Sequence, residues 1–190
     1  CKNEDIEKIL LNYKDKGHSI GIITARSIDS ESMASFMKQH FQVDIPSDHI
    51  IAIANKKRFD KVIDDLKKFK ENNPFLKANW KNLSLSLQST NIAEKKQLAM
   101  VWFIAKNYTK ISFYDDDPAN IQIMNKLKEK LQRIDSNLFS IQAHKVSVEQ
   151  RAKCKKIIDE KMLQDEQYQK LKLSGDMCKN GLKMLHQKEK

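Results

Sequence analysis

Three carboxylates follow directly after a short apolar run in residues 111–121, which read Ile-Ser-Phe-Tyr-Asp-Asp-Asp-Pro-Ala-Asn-Ile. Open α/β sheets bind ligands beyond the carboxyl ends of their strands, so Asp115 and Asp116 would border such a site. Adjacent carboxylates repel one another unless they are solvated or share a cation, and hard oxygen ligands of this kind suit Mg²⁺. An acidic turn without this role, in which Asp117 caps a helix that begins at Pro118, explains the same residues.

A second apolar run, Ile20–Ile23, also ends in polar residues, namely Thr24 and Arg26. A hydroxyl can donate to a phosphate oxygen, and a guanidinium can bind one through two parallel hydrogen bonds. Both runs are short, and each is followed by a helical pattern, so their polar ends should share one edge of a parallel sheet. The alternatives are that Thr24 is a turn residue and that Arg26 is a solvated cation.

Lys95 and Lys96 lie at the start of a helical pattern over Ile92–Lys106. Lysine near a helix N-terminus opposes the macrodipole, and a bound phosphate would offset that cost. Chance is the competing explanation in a chain this rich in lysine. Lys95 is the favoured candidate because apolar residues follow it at core-facing spacing.

Apolar periodicity predicts the elements that must position these side chains. The predicted helices are Asp5–Lys16, Ser30–Phe41, Phe59–Phe69, Ile92–Lys106 and Pro118–Leu131, and the predicted strands are Ser19–Thr24, Ile50–Ile53, Ile111–Tyr114 and Phe139–His144. Strands that alternate with helices imply βαβ units, and therefore an α/β fold with a parallel sheet covered by helices on both faces.

Two segments depart from this alternation. Glu71–Thr90 reads as an insertion, and its alternating Leu83-Ser-Leu85-Ser-Leu87 stretch predicts an edge hairpin. From Val146 onward the chain is dense in Lys, Glu, Gln and Met, which indicates helices packed on the core or reaching a partner. The expected organisation is an α/β core over 1–145, with an insertion near 71–90, and a helical extension over 146–190.

The net charge of +10 favours partners that carry phosphate groups or other anions. Basic and acidic residues are interspersed, so nothing points strongly to nucleic acid, and the basic C-terminal helices are the candidate contact for an anionic membrane or an acidic partner. No apolar run reaches the ~18 residues of a membrane span, and the N-terminus has no signal-peptide pattern. Three widely spaced cysteines favour a reducing, cytoplasmic compartment.

These motifs together resemble the haloacid dehalogenase-like superfamily of phosphohydrolases. That family has an apolar strand ending in Thr or Ser, a lysine at or before a later helix, and a strand ending in Asp-Asp-xxx-Asn. The matching residues here are Thr24, Lys95 or Lys96, and Asp115-Asp116 with Asn120, and the resemblance extends from Asp5 to about His144.

The resemblance implies a Rossmann-like core that transfers a phosphoryl group to an aspartate with Mg²⁺ bound. Thr24 would bind a phosphate oxygen, and the lysine would neutralise phosphate charge and hold the nucleophile. Asp116, with Asp115 or Asn120, would hold the metal directly or through water. Metal and lysine together would offset the charge that develops in an in-line displacement.

One element of the family pattern is missing. The family's nucleophile lies in an Asp-x-Asp-x-Thr motif on the first strand, and nothing in residues 1–17 resembles it. Asp44, Asp64 and Asp65 come after Thr24 and are therefore in the wrong order. We expect the nucleophilic strand to lie upstream of Cys1, and a chain that starts with Cys rather than Met agrees with that expectation.

The sequence therefore predicts a Mg²⁺-dependent phosphatase that hydrolyses a phosphate monoester, with a phosphoprotein, including phosphotyrosine, among the candidate substrates. The alternative is a degenerate relative that binds a phosphorylated protein, a phosphoinositide or nucleic acid without turnover. A Lys- and Asn-rich composition is typical of AT-rich bacterial genomes, which adds a bacterial effector secreted into host cells as a further possibility.

Overall fold

The computed structural model describes residues 6–135 and 137–165, which form a mixed α/β structure that is mostly helical. The helices are α1 Ile6–Asp15, α2 Ser30–Phe41, α3 Lys56–Phe69, α4 Pro74–Ser86, α5 Ile92–Ala105, α6 Pro118–Ile134 and α7 Val148–Gln164. The strands are β1 Ile22–Thr24, β2 Ile50–Ala52, β3 Lys110–Asp115 and β4 Ser140–Lys145.

The strands pair in parallel, as their alternation with helices predicts. β1 pairs with β2 through Ile22 and Ile50, and β3 pairs with β4 through Asp115 and Lys145 at their carboxyl ends. The described residues thus contain two small parallel sheets of two strands each. The chain divides into two compact units, Cys1–Lys56 with Glu149–Lys190 and Lys57–Val148, and each unit holds one of these sheets.

The core of the first unit forms around α2. Asp29 caps this helix by accepting a hydrogen bond of 2.8 Å from the Ser32 N–H, which satisfies a donor that the helix itself cannot. Ser30 Oγ donates to the Ile50 carbonyl at 2.7 Å and so joins the helix to β2. One apolar cluster results, made of Met33, Phe36, Met37, Phe41, Val43, Ile45, Ile50 and Met162.

The second unit is organised by α5, which is buried along most of its length from Lys96 to Ile104. Asn91 caps the helix through the Glu94 N–H, and α4 and α6 pack against it. β3 and β4 pack on α6, whose Met124 and Leu127 have no solvent exposure. A helix that is covered on several sides has little need for a polar face. This explains why the sequence of α5 is almost continuously apolar from Leu98 to Ala105.

Residues 71–90, predicted to be an insertion, contain a helix, and the predicted hairpin was wrong. α4 begins at Pro74, a residue suited to the first helical position, and Asn73 caps it by accepting from the Leu76 N–H at 3.0 Å. Leu83 is buried, whereas Leu85 is 78% exposed. The Leu-Ser alternation therefore does not separate a buried strand face from a solvent face.

The C-terminal segment begins with a helix, α7, as predicted from Val146 onward, and the prediction for 166–190 lies outside the described residues. The buried Met162 of α7 packs in the α2 cluster. Across 6–135 and 137–165, none of the helices combines the length and the apolar character needed to cross a lipid bilayer. The expected division into a core over 1–145 and an extension over 146–190 stays a prediction.

Candidate functional site

A buried ion pair joins the first turns of α5 to the end of β3. Lys96 Nζ donates to Asp115 Oδ2 at 2.6 Å, and the two side chains are 11% and 7% exposed. Both residues belong to the second unit. Lys96 is the fifth residue of α5, and Asp115 is the last residue of β3. A buried charge without a partner is costly, and Lys96 stabilises the ionised form of Asp115.

The second oxygen of the same carboxylate is also used. Asp115 Oδ1 accepts from the Asp117 N–H at 2.9 Å and from Asn120 Nδ2 at 3.1 Å. Asp117 in turn caps α6 by accepting from the Ala119 N–H, and Pro118 starts that helix. The acidic turn that the sequence offered as an alternative explanation, with Asp117 as cap and Pro118 at the helix start, is therefore present. The same turn is followed by Asn120, which contacts Asp115.

These contacts set the ionisation of Asp115. Burial raises the pKa of this carboxyl, but hydrogen bonds from Lys96, from the Asp117 N–H and from Asn120, together with the charge of Lys96, outweigh that effect and hold the pKa below its ordinary value of 3.8. Asp115 is consequently an anion at neutral pH, and both of its carboxylate oxygens already accept hydrogen bonds.

Two further residues with side-chain oxygens, Asp116 and Asn120, follow Asp115 in the chain. Asn120 is 2% exposed, and its Oδ1 is a buried atom with no hydrogen-bond partner among the described residues. Asp116 is the half-buried residue after β3. A buried carbonyl oxygen without a donor is rare and calls for an explanation such as a water or an ion, and an amide oxygen beside a carboxylate suits Mg²⁺.

The donor set is incomplete for a metal site of protein ligands alone. Within the described part of the chain, no three His, Cys, Asp or Glu side chains gather in a group that could hold a metal ion. Asp116 and the Asn120 oxygen are of the ligand type that Mg²⁺ prefers, and this ion keeps several waters and needs few protein ligands. A carboxylate from another segment would be the third protein ligand of such a site.

Lys95 does not share this environment. Its Nζ lies 5.5 Å from the centre of the Phe59 ring, a distance at which the cation is attracted to the ring face. The sequence favoured Lys95 over Lys96, but Lys96 is the residue that contacts Asp115. The preference was based on a single core-facing stripe, whereas Lys96 itself is buried in a helix with several buried sides.

Thr24 and Arg26 belong to the first unit, where they follow β1. Thr24 Oγ1 accepts from the Arg26 N–H at 3.2 Å, so the hydroxyl fixes the start of the loop that leads to α2. Ser27 in the same loop was not singled out from the sequence. Its Oγ is buried without a hydrogen-bond partner among the described residues, and the only sequence signal was its place three residues after the strand.

The aspartates that the sequence set aside as nucleophiles have other surroundings. Asp44 is exposed and lies 3.7 Å from Lys38, and Asp64 is exposed on α3. Asp65 accepts a hydrogen bond of 2.9 Å from the Trp102 indole N–H. These contacts account for the three residues without catalysis.

The second unit thus combines a cation, an ionised carboxylate and a buried oxygen without a donor at the carboxyl end of a parallel strand. In this group Asn120 Oδ1 is the atom that could bind a cation or a water, since both oxygens of Asp115 already accept hydrogen bonds. No family model, curated protein or solved structure matches the chain.

Proposed function

We propose that this chain contains most of a Mg²⁺-dependent phosphatase of the haloacid dehalogenase type, with a nucleophilic aspartate supplied by a strand upstream of Cys1. The observation that supports the proposal most strongly is the Lys96–Asp115–Asn120 cluster. The resemblance matches these residues to the family's lysine and to its Asp-Asp-xxx-Asn element, and hydrogen bonds bring the three side chains together at the end of β3.

In the proposed reaction, the upstream aspartate attacks a phosphate monoester, and the leaving alcohol departs as the new phosphoryl–oxygen bond forms. Water then hydrolyses the aspartyl phosphate and releases inorganic phosphate. By the resemblance, Thr24 would bind a phosphate oxygen, Arg26 would pair with a phosphate group, and Lys96 would offset charge near the attacking carboxylate. Asp116 and Asn120 hold Mg²⁺, which when bound supplies positive charge against the phosphate oxygens.

The same proposal places a further strand in a Rossmann-like sheet with helices on both faces. β2 is buried at all three residues, whereas every residue of β1 retains some exposure. β1 also has an edge without a paired strand among the described residues. An open edge next to partly exposed Ile22 and Ile23 suits one more parallel strand, because unpaired strand edges are a liability that proteins usually cover.

The substrate is proposed only as a class. A phosphoprotein, including one with phosphotyrosine, suits a basic chain, and a small phosphate monoester satisfies the same residues. We place the activity in a reducing cytoplasm, and a secreted effector that acts in a host cell remains within the proposal. Basic C-terminal helices remain a candidate contact for acidic partners.

The first experiment is the intact mass and N-terminal peptide map of the natural protein, followed by hydrolysis of p-nitrophenyl phosphate and of a phosphotyrosine peptide with and without Mg²⁺. We expect an Asp-x-Asp strand before Cys1 and metal-dependent turnover. Asp116→Ala and Thr24→Ala should each lower kcat/KM by about a hundred-fold or more.

Asp64→Ala is the matched control, since it removes an exposed carboxylate of the same unit and should leave turnover unchanged. If Asp116→Ala and Thr24→Ala retain full turnover, the proposed site is wrong. If the natural protein starts at Cys1 and hydrolyses neither substrate, the phosphatase proposal fails, and a module that binds phosphorylated partners without turnover replaces it.

A further inference from the structure

The outer face of α4 combines cations with an apolar side chain. Lys77, Lys81 and Leu85 follow one another at four-residue spacing, so they form one stripe along the helix, and all three are exposed. Leu85 is 78% exposed, whereas the other face of the helix is well buried. The buried face consists of Phe75, Leu76 and Leu83.

The surroundings of this stripe reinforce its charge. No Asp or Glu occurs in residues 72–93, so no carboxylate of its own segment neutralises the two lysines. Trp80 on the flank of α4 is half-buried, and Lys70 Nζ lies 5.2 Å from its ring centre. Ile92, just beyond the turn that follows α4, is 51% exposed. The segment therefore presents positive charge and aliphatic surface together.

We propose that α4 docks on a membrane surface that contains anionic phospholipids. Lys77 and Lys81 contact lipid phosphates while their stems cover apolar surface, and Leu85 inserts at the boundary between headgroups and acyl chains. This contact is independent of the proposed phosphatase, and it lies in the insertion rather than in the basic C-terminal helices.

The two lysines of the stripe require a partner with negative charge. The aromatic and aliphatic side chains of α4 distinguish between a nucleic acid and a membrane. Single-stranded nucleic acid is held by aromatic rings on which bases stack, but the Trp80 ring already has Lys70 over it, and the most exposed apolar residue of α4, Leu85, is aliphatic. A membrane accepts both features of the stripe, since it offers phosphate charge and an apolar layer below it.

The test is sedimentation of the full chain with vesicles of phosphatidylcholine alone or with added phosphatidylserine. We expect binding only to the vesicles with phosphatidylserine, and a loss of binding as salt rises. Lys77→Gln and Lys81→Gln should each weaken the partition coefficient about five-fold, and Leu85→Gln about ten-fold. Circular dichroism should show unchanged helix content, since all three side chains are exposed.

Matched controls come from α7, where Lys153 and Lys156 are exposed cations and Leu163 is a leucine with 67% exposure. We expect vesicle binding to stay within about two-fold of the wild type in Lys153→Gln, Lys156→Gln and Leu163→Gln, because exposed charges outside a contact contribute little. If these variants lose binding and the α4 variants do not, the membrane contact belongs to α7, and the proposal is wrong. Equal binding to both vesicle types, or binding only to an acidic peptide or an oligonucleotide, also overturns it.

Discussion

Lys96 and Asp115 are 19 residues apart in the chain, yet their charged atoms lie 2.6 Å apart in a setting where both side chains are nearly buried. Removal of one partner from such a pair leaves the other charge desolvated and uncompensated. We expect Lys96→Met to lower the free energy of unfolding by about 3 kcal/mol, measured by urea denaturation at neutral pH.

A double-mutant cycle separates the pair from its surroundings. Lys96→Met with Asp115→Asn should be more stable than the sum of the two single changes predicts, because no unpaired charge remains. Lys38→Met removes an ion pair with Asp44 in which both side chains are more than two-thirds exposed, and it should change stability by less than about 1 kcal/mol. Additive effects of Lys96→Met and Asp115→Asn would contradict the assigned contact.

The ion pair also predicts how stability depends on pH. The pKa of Asp115 is held below 3.8 in the folded protein, so the unfolded chain binds this proton at a higher pH than the folded chain does. The stabilisation is complete above the unfolded value of 3.8, declines as pH falls toward the lower folded pKa, and is lost below it. The loss of stability in Lys96→Met should therefore be largest near neutrality and smaller at each step of acidification below 3.8.

Urea titrations of the wild type and Lys96→Met at several pH values measure this difference directly. The exposed pair of Lys38 with Asp44 provides the control, since Lys38→Met should show a small effect at every pH. A loss in Lys96→Met that stays constant through the acidic range would mean that Lys96 does not lower the pKa of Asp115 in the folded protein.

Sequence periodicity predicted the four strands and the helices around them well, because each is a local pattern bounded by capping residues such as Asp29 and Asp117. It favoured Lys95 over Lys96, although Lys96 is the lysine that contacts Asp115. α5 is buried on several sides from Lys96 to Ile104, so apolar spacing does not reveal which lysine faces the carboxylate. That choice depends on how α5 packs against other elements of the unit, which is not a local property.

The error in 71–90 has a similar origin. Leucines at 83, 85 and 87 alternate with serine, which fits a strand, but the cap at Asn73 and the proline at 74 start a helix that extends through Ser86. Leu83 is buried on the inner face and Leu85 is not, so the alternation contains one core contact rather than three. Capping signals ten residues upstream were more informative than the alternation itself.

Asn120 offers a test of the metal ligands that does not depend on turnover. Asn120→Asp would place a further carboxylate beside Asp115 and replace the Nδ2 donor that Asp115 Oδ1 now accepts from. We expect a lower melting temperature in the absence of divalent cations, because like charges repel, and a larger rise on addition of Mg²⁺ than the wild type shows. Thermal melts with Mg²⁺ and with KCl at equal ionic strength measure both effects.

Asp64→Asn is the control for general charge effects, since it alters an exposed carboxylate of the same unit. Its response to Mg²⁺ should match that of the wild type. If KCl raises the melting temperature of Asn120→Asp as much as Mg²⁺ does, the effect is ionic screening, and Asn120 is not a metal ligand.

The end of α7 is tied to α2 by a second buried polar contact, which predicts how the C-terminal helix is held within its unit. His40 Nε2 and Asp165 Oδ2 lie 2.8 Å apart, with side chains 12% and 6% exposed, and Lys161 Nζ donates to the His40 carbonyl at 2.9 Å. Because a buried polar group that loses its partner costs about 1–3 kcal/mol, we expect His40→Ala to lower the free energy of unfolding by about that amount.

Limited proteolysis should report the same change locally, since α7 packs on the α2 cluster through Met162 and a weaker attachment opens this region more often. We expect faster cleavage within α7 in His40→Ala than in the wild type. Lys38→Ala on the same helix, where the ion pair with Asp44 is exposed, should leave the cleavage rate unchanged. Equal cleavage of α7 in all three proteins would mean that the His40–Asp165 contact adds nothing to the attachment of this helix.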